Sequence, residues 1–455
     1  MLPLLLALVQ TGDVSDYSST RNGAPEFDPR RYVEDWRDVE AGDAWWAPYK
    51  DMRLDDAGFW RLSLGLELRA QYERLDGDSL EAAPEGRRDY TWWRALPSID
   101  LHAGSSWRLF AQGVAAFETG ENDPPTPVDE NRADFAQAFV EWDAPGQEQW
   151  LSIRAGRQLL AYGSQRLIST RYGPNVQRPF EGAVVEVRRG PWRVDALWSR
   201  PVATTAGEFD DSANDDESLW GVYATRELGP GGLDLYYLGH RDDDAVYAQG
   251  AGREERHTLG IRWFGERGPL DWNFELFGQV GDFGDAEVRA WSIASDTGWH
   301  FEDLPGRPHL GLRANVISGD DDPDDDELGT FDPLYPNGRY FGEIGLIGPY
   351  NLINLHPHLS IEPVEDWSVE LGAVAYWRES LEDGIYDNPG FVVQAPGGSD
   401  ERYVGTQFDL ALIHRPAPDW TLGVVVSHLE AGPFLEDVGS GEDVQFLQLV
   451  AQFDF

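Results

Sequence analysis

The chain has 455 residues, a formal net charge of -45 at pH 7, one lysine (Lys50) and no cysteine. A surface this negative repels phosphate, so the composition speaks against nucleic acid as a partner. Without cysteine there is neither a disulfide nor a thiolate metal site. The mean hydropathy is -0.47, and beyond the N-terminus no apolar run approaches the roughly 20 residues of a membrane helix. Low hydropathy is nevertheless compatible with a transmembrane β-barrel, because barrel strands alternate apolar and polar residues.

The N-terminal part of the chain divides into two segments. Residues 1–12, MLPLLLALVQTG, contain an apolar run of signal-peptide length but no basic start and no clear cleavage motif. They predict a secretory signal, with a buried N-terminal strand as the alternative. Residues 13–58 are rich in Asp, Trp and Pro without periodicity and predict a loose periplasmic segment. Residues 59–455 carry a different pattern.

From residue 59 onward, apolar residues recur at every second position. In FWRLSLGLELRAQYERL, the apolar set includes Trp60, Leu64 and Leu66, and polar residues such as Glu67 and Arg69 lie between them. A soluble strand usually alternates over about half this length. Aromatic residues stand near both ends of the apolar face, as in the girdles of a membrane barrel. The pattern predicts that Trp60, Leu64 and Leu66 face lipid.

The same alternation recurs along the rest of the chain and predicts about 18 strands. The segments start near residues 59, 90, 106, 131, 149, 180, 191, 217, 232, 254, 269, 286, 309, 351, 366, 402, 419 and 443, and those near 131 and 286 alternate poorly. The connections alternate long and short, and the acidic runs DDSANDDE, RDDD and DDDPDDDE fall on the long side. We therefore expect an all-β fold: a transmembrane antiparallel up-and-down β-barrel with short periplasmic turns and long acidic outer loops.

The C-terminus supports an outer-membrane location. The last segment, FLQLVAQFDF, alternates apolar and polar residues and ends on the aromatic Phe455. A terminal aromatic residue on an amphipathic last strand resembles the signal by which outer-membrane barrels are recognised for assembly. A closed barrel also leaves no strand edge unpaired in lipid.

Three segments resemble the alginate export family of outer-membrane barrels. They are GRQLLAYGSQRLIS with the following R.GPN and F.G across residues 156–182, YFGEIGLIGPYNLINLHPHL at 340–359, and QAFVEW at 137–142. The resemblance extends from about residue 59 to Phe455. It implies an 18-stranded barrel that secretes an anionic polysaccharide through a pore lined by arginines. Because the family includes members without an established substrate, it supports a channel more strongly than it supports alginate.

The candidate site residues come from the family motif and from the inward face of the predicted strands. Arginine stays charged and binds carboxylates bidentately, which suits a track for uronate sugars, whereas the alternative role of each arginine is an ion pair that braces the wall. The motif region supplies Arg154, Arg157, Gln158, Arg166, Arg171, Asn175 and Arg178, and the other strands supply Arg69, Arg94, Arg188, Arg193, Arg262 and Arg313.

These residues predict an outer-membrane channel for an anionic polysaccharide or small anionic saccharides, with a general diffusion porin as the alternative. We expect no cofactor and a monomeric barrel in contact with anionic glycolipid, with divalent cations at the acidic loops. A barrel-borne hydrolase is the weaker rival, because neither Gly-x-Ser-x-Gly nor His-Glu-x-x-His occurs. A metal site is not expected, since His356 and His358 share a strand face but no third ligand is evident. The sequence leaves open whether the loop from Ser318 to Tyr350 enters the pore.

Overall fold

The protein forms a closed antiparallel barrel of 18 strands. The computed structural model describes residues 20–21, 24–25, 27–37, 44–77, 86–121, 126–144 and 149–455, so the expected signal peptide at 1–12 lies outside the described residues. The barrel strands are β1 (Trp60–Asp76), β2 (Arg88–Ala103), β3 (Trp107–Glu121), β4 (Asn131–Ala144), β5 (Gln149–Leu159), β6 (Pro179–Arg189), β7 (Trp192–Ala203), β8 (Glu217–Glu227), β9 (Gly231–Tyr247), β10 (Gly250–Arg267), β11 (Leu270–Phe283), β12 (Ala286–His300), β13 (His309–Ile317), β14 (Leu352–Ile361), β15 (Trp367–Arg378), β16 (Tyr403–Ala417), β17 (Trp420–Ala431) and β18 (Val444–Asp454).

The expected strand pattern is confirmed, including the two segments that alternate poorly. The largest difference is at β10, which begins at Gly250 instead of near residue 254. A helix α1 (Pro433–Val438) and a one-turn 3-10 helix (Ala47–Tyr49) complete the regular structure together with short strand pairs in the loops. No helix in the described ranges has the length and apolar character needed to cross a membrane.

The barrel closes between its first and last strands. β18 pairs with β1 from Gln445 opposite Asp76 to Asp454 opposite Glu67. Phe455 then exchanges two backbone hydrogen bonds of 2.9 Å with Leu66. Its ring lies 5.4 Å from that of Trp45. Closure satisfies the backbone groups that lipid cannot hydrogen-bond, so the C-terminal residue is part of the wall.

The two faces of the strands separate as the alternation predicts. On β1, Trp60 and Leu68 are each 43% exposed, whereas Glu67 and Arg69, on the other face, are buried. The outward set continues around the barrel with residues such as Leu259, which is 65% exposed. Apolar side chains therefore cover the lipid face, and charged side chains such as Glu67 and Arg69 are directed to the lumen.

The connections differ from the expected pattern in one region. At β9–β10 and β11–β12, the outer connections are tight turns at 248–249 and 284–285, and the strands themselves are long. The RDDD run consequently lies in the outer part of β9 instead of in a loop. The other acidic runs lie in the long connections that follow β7 and β13.

Part of the N-terminal region packs inside the barrel. Tyr32 packs its ring against the inward-facing Phe110 and Phe139, and its hydroxyl donates a 2.9 Å hydrogen bond to the carbonyl of Leu159. Arg31 pairs with Asp454 at 3.2 Å. These contacts place residues 27–37 against the wall, whereas the sequence predicts a loose segment there. Aromatic burial and ion pairing give this segment its position although it has no periodicity.

The assigned faces can be tested on neighbouring residues of β8. Val222 is 43% exposed on the lipid face, whereas Thr225 lines an internal cavity beside Asp234 and Glu227. We expect Val222→Arg to destabilise the folded barrel by about 2–4 kcal/mol, because it places a charge in lipid. Thr225→Arg should cost much less. Reversible unfolding in lipid vesicles measures the free energy of unfolding of both variants. Equal losses of stability in the two variants would contradict the assigned register.

Phe455 provides a second test. Phe455→Ser removes the ring that packs on Trp45 and the aromatic end of β18. We expect less inserted, heat-modifiable barrel in the outer membrane at unchanged synthesis. Phe301→Ser, which changes an exposed aromatic residue in a periplasmic connection, is the control. Normal insertion of the Phe455 variant would show that the terminal ring is dispensable.

Candidate functional site

The loop between β5 and β6, residues 160–178, crosses the lumen. The Tyr172 hydroxyl donates a 2.9 Å hydrogen bond to Glu67 on β1. Near the other end of the loop, Arg166 pairs with Glu275 on β11 at 2.6 Å. β1 and β11 lie on nearly opposite sides of the barrel in the strand order. The arginine-rich segment therefore spans the pore from wall to wall.

Two inward-facing arginines of the wall hold this loop in place. Arg69 donates hydrogen bonds to the backbone carbonyls of Tyr172 and Pro174, at 3.1 and 2.8 Å. Arg94 donates to the same carbonyls and pairs with Glu67 at 2.5 Å. Both side chains point inward as expected, and each donates hydrogen bonds to the backbone of the loop. These hydrogen bonds anchor the loop backbone to the wall, and the expected contact of the two arginines with a substrate stays a prediction.

The amides of the motif are also structural. Asn175 donates to the carbonyls of Asp129, Trp93 and Phe117, at 2.8, 3.3 and 3.3 Å. Gln158 is fully buried and donates to the carbonyl oxygens of Gly156 and Gly182, both at 3.4 Å. These contacts fix the loop and its preceding strand to the barrel wall. Neither amide faces an open part of the lumen.

Arg154 and Arg157 lie on opposite faces of β5. Arg154 faces inward, where its guanidinium lies 4.2 Å from the centre of the Tyr32 ring and 3.8 Å from Glu141. Arg157 shares its face with the lipid-exposed Ile153 and pairs with Glu181 and Asp134 at 2.7 and 2.9 Å. The expectation of a pore position for Arg157 is therefore corrected. Adjacent carboxylates at the outer end of β5 satisfy its charge.

The loop between β13 and β14, residues 318–351, also enters the lumen, which answers the question that the sequence leaves open. Arg339 pairs with Glu73 on β1 at 3.1 Å. Tyr340 accepts a 2.7 Å hydrogen bond from Arg166. Burial works against the charge of Arg166, but Tyr340 and Glu275 outweigh it and raise its pKa. The two loops thus contact each other inside the barrel and narrow the passage.

Three predicted arginines lie around a cavity at the periplasmic end. The cavity has a volume of about 320 Å³, and Arg188, Arg193 and Arg262 are among its lining residues. Arg188 pairs with Glu186, Arg193 with Asp195 at 2.8 Å, and Arg262 with Asp234 at 2.7 Å. The cavity wall therefore carries both signs of charge. Arg313 faces the lumen elsewhere, paired with Asp296 at 2.9 Å.

Arg171 and Arg178 differ from the other motif arginines. Both are half-buried, and neither forms an ion pair with a carboxylate of the described residues. Arg178 lies with its guanidinium 5.2 Å from the centre of the Tyr335 ring. Burial, and the nearby Arg178, lower the pKa of Arg171 well below its usual value. Arg171 also has a φ of 51°, a left-handed conformation that is unfavourable for arginine.

The lack of a carboxylate ion pair among the described residues distinguishes Arg171 and Arg178, which we call the arginine pair, and Arg171 also has a strained backbone. The sequence could not separate the arginine pair from the other motif arginines, because the acidic partners of those residues lie on other strands. Sequence reasoning also missed Tyr172 and Tyr335, which hold the loops inside the barrel. Their only sequence signal is their place in or near the family motifs.

A closed 18-stranded barrel with loops folded into its lumen defines an outer-membrane channel. The family model for alginate export matches residues 60–444, and the chain belongs to this family. The protein is therefore an outer-membrane channel and not an enzyme. No curated protein sequence matches the chain.

Solved structures show the same fold at low sequence identity. Pseudomonas aeruginosa OpdO is 13% identical with a TM-score of 0.59, covering 87% of this chain and 97% of that one. Acinetobacter baumannii OccAB1 is 13% identical with a TM-score of 0.59, covering 87% and 96%. Pseudomonas aeruginosa OccK2 (OpdF), solved in complex with glucuronate, is 10% identical with a TM-score of 0.57, covering 87% and 96%.

The anchoring role of Asn175 gives a testable prediction. Asn175→Ala leaves three carbonyl groups without their donor, and we expect a loss of about 1–3 kcal/mol of stability. The same change frees the middle of the β5–β6 loop, so single-channel conductance should rise. Asn214→Ala, which removes a 2.9 Å hydrogen bond to Glu217 and a 3.1 Å hydrogen bond from the backbone N–H of Asp216 in another outer loop, is the control. Unchanged conductance and stability in the Asn175 variant would show that the loop is held by other contacts.

Proposed function

We propose that the protein is a channel selective for anionic saccharides of the uronate type, with the arginine pair as the group that contacts their carboxylates. The observation that carries this proposal is the absence of ion pairs at Arg171 and Arg178, when the other motif arginines are paired with carboxylates of the described residues. Burial and the charge of Arg178 both lower the pKa of Arg171, and an anion bound beside the two guanidinium groups would offset this unfavourable charge.

The position of the arginine pair is suitable for contacting a substrate as it enters the narrow part of the pore. Arg178 lies beside Tyr335, whose hydroxyl donates a 3.1 Å hydrogen bond to Glu217 at the outer end of β8. An arginine stacked on an aromatic ring keeps the edge of its guanidinium available for a carboxylate. The acidic outer loops are screened within about 8 Å at physiological salt. The negative charge of these loops therefore does not cancel the attraction of the arginine pair for an anion.

The filled lumen bears on the size of the substrate. Residues 27–37, residues 160–178 and the part of the β13–β14 loop around Arg339 and Tyr340 lie inside the barrel, and they leave room for short saccharides more readily than for an extended polymer. Passage of a polysaccharide through the same channel requires these segments to move. The complex with glucuronate is that of OccK2 and not of this chain, and it makes a uronate the natural first probe here.

The acidic outer loops also bear on what surrounds the barrel in the membrane. We infer that it works as a monomer in the outer membrane, and that divalent cations bridge its acidic outer loops to anionic glycolipid. The run DDDPDDDE includes exposed carboxylates beside Arg289, which pairs with Glu327 at 3.0 Å. Such a rim gains stability from shared divalent ions.

The experiment is a planar-bilayer recording with the purified full-length barrel. We expect chloride to pass in preference to potassium, and added oligouronates to block the current. The double variant R171A/R178A should weaken the block about 10-fold or more, because each charge-assisted hydrogen bond contributes about 1.5–3 kcal/mol. Cation selectivity without block in the unaltered channel would reject this proposal in favour of a general diffusion porin.

The control variant also removes two positive charges, but from the outer rim of the barrel. Arg253 and Arg289 have side chains that are 59% and 61% exposed, and both pair with neighbouring carboxylates. R253A/R289A should leave the block unchanged, since these residues lie outside the narrow part. An equal weakening in both double variants would mean that net charge, and not the arginine pair, determines substrate binding.

A further inference from the structure

We propose that Asp271, His300 and His309 form a binding site for a divalent transition-metal ion of the zinc class on the lumen wall. This inference is independent of the saccharide proposal. It also revises the sequence-based expectation of no metal site, which considered only His356 and His358. The barrel places side chains from three adjacent strands next to one another, and together they supply three possible metal ligands.

The three side chains come from adjacent strands at the periplasmic end. Asp271 is on β11, His300 ends β12 and His309 begins β13. Both histidine Nε2 atoms approach the same carboxylate oxygen, Asp271 Oδ2, at 3.0 Å for His300 and 2.9 Å for His309. The potential ligand atoms of all three lie within 4.8 Å of one another. Ligand atoms around a small divalent ion bound at about 2.0–2.2 Å lie at comparable separations.

The site opens to the lumen and not to lipid. The neighbouring Leu270, Trp299 and Leu310 are exposed on the lipid face, so the adjacent Asp271, His300 and His309 are directed inward. The side chains of the three are 30%, 19% and 16% exposed, which leaves them accessible to water and ions in the pore. A zinc site with three protein ligands and an open position has this arrangement.

Glycines on the same strands provide the space for the imidazoles. A Cβ atom at Gly298 would lie 2.0 Å from His309 Nε2 and 2.4 Å from Asp271 Oδ2. A Cβ atom at Gly311 would lie 2.2 Å from His358 Nε2. The ring of His358 is centred 5.9 Å from that of His309, so it lies next to the site without belonging to the three-residue cluster. His309 and His358 thus occupy recesses that any side chain larger than glycine would fill.

The chemistry of the ligands selects the ion. Two imidazole nitrogens with one carboxylate oxygen suit zinc and neighbouring transition metals, whereas calcium and magnesium prefer oxygen ligands alone. The nearest lumen-facing arginine on these strands, Arg313, is paired with Asp296 at 2.9 Å. Its charge is therefore compensated beside the site. A bound divalent ion would place positive charge at the periplasmic end of the pore, away from the arginine pair.

The test measures zinc binding to the purified full-length barrel in detergent by calorimetry. Excess magnesium is present to occupy the exposed carboxylates of the outer loops. We expect one zinc site per chain, and its affinity should fall about 10-fold or more in His309→Ala. Losing a residue that only hydrogen-bonds a metal ligand already lowers metal affinity by about 10-fold, and losing a ligand itself should cost at least as much. His428→Ala, which removes a histidine 3.7 Å from Asp443 at the outer end of β17, should bind zinc like the unaltered protein.

Two further measurements keep the proposal open to contradiction if His309→Ala folds poorly. Gly298→Ala retains all three ligands but fills their recess, so it should also weaken zinc binding. Cobalt bound in place of zinc should give visible absorption bands in the unaltered barrel that are lost in His300→Gln. Equal zinc affinity in the unaltered barrel and these variants, or no binding under excess magnesium, would overturn the site and leave an Asp–His hydrogen-bond cluster that only braces the wall.

Discussion

The structure depends on one constraint: lipid offers no hydrogen-bond partners to the backbone. The strands must therefore close on themselves, and here closure is completed by β18 against β1 and by the two backbone hydrogen bonds between Phe455 and Leu66. A closed barrel of this strand number encloses a wide lumen. Polar and charged side chains on its inner face need partners there, and the chain supplies many of them from its own loops and N-terminal region.

The arginines illustrate how the lumen is filled. Arg69 and Arg94 bind loop carbonyls, and Arg166 binds a carboxylate on the far wall. A buried arginine without partners is costly, so ion pairs and carbonyl contacts fix the loops at defined positions. Most of the motif arginines are thus held by carboxylates or backbone carbonyls of the described residues, and the proposed function assigns the attraction for an anionic substrate to Arg171 and Arg178, which form no such ion pair.

Charge is also distributed along the axis of the channel. The outer rim is acidic, the arginine pair lies next to the inward-folded loops, and the periplasmic cavity carries paired charges of both signs. Screening by salt is stronger at the open rim than in a narrow lumen. Under the proposed function, the local arrangement of unpaired charge governs which ions enter, and the net charge of the chain does not.

The sequence by itself determined the number of strands, their starts and the lipid-facing side, because a two-residue period fixes the faces of a strand independently of the remaining chain. It also identified Arg171 and Arg178 as members of an arginine-rich motif. Only the tertiary structure decided which arginines are neutralised, that residues 27–37 and 318–351 enter the lumen, and that Asp271, His300 and His309 converge. These features depend on contacts between residues far apart in the chain, and local periodicity contains no information about such contacts.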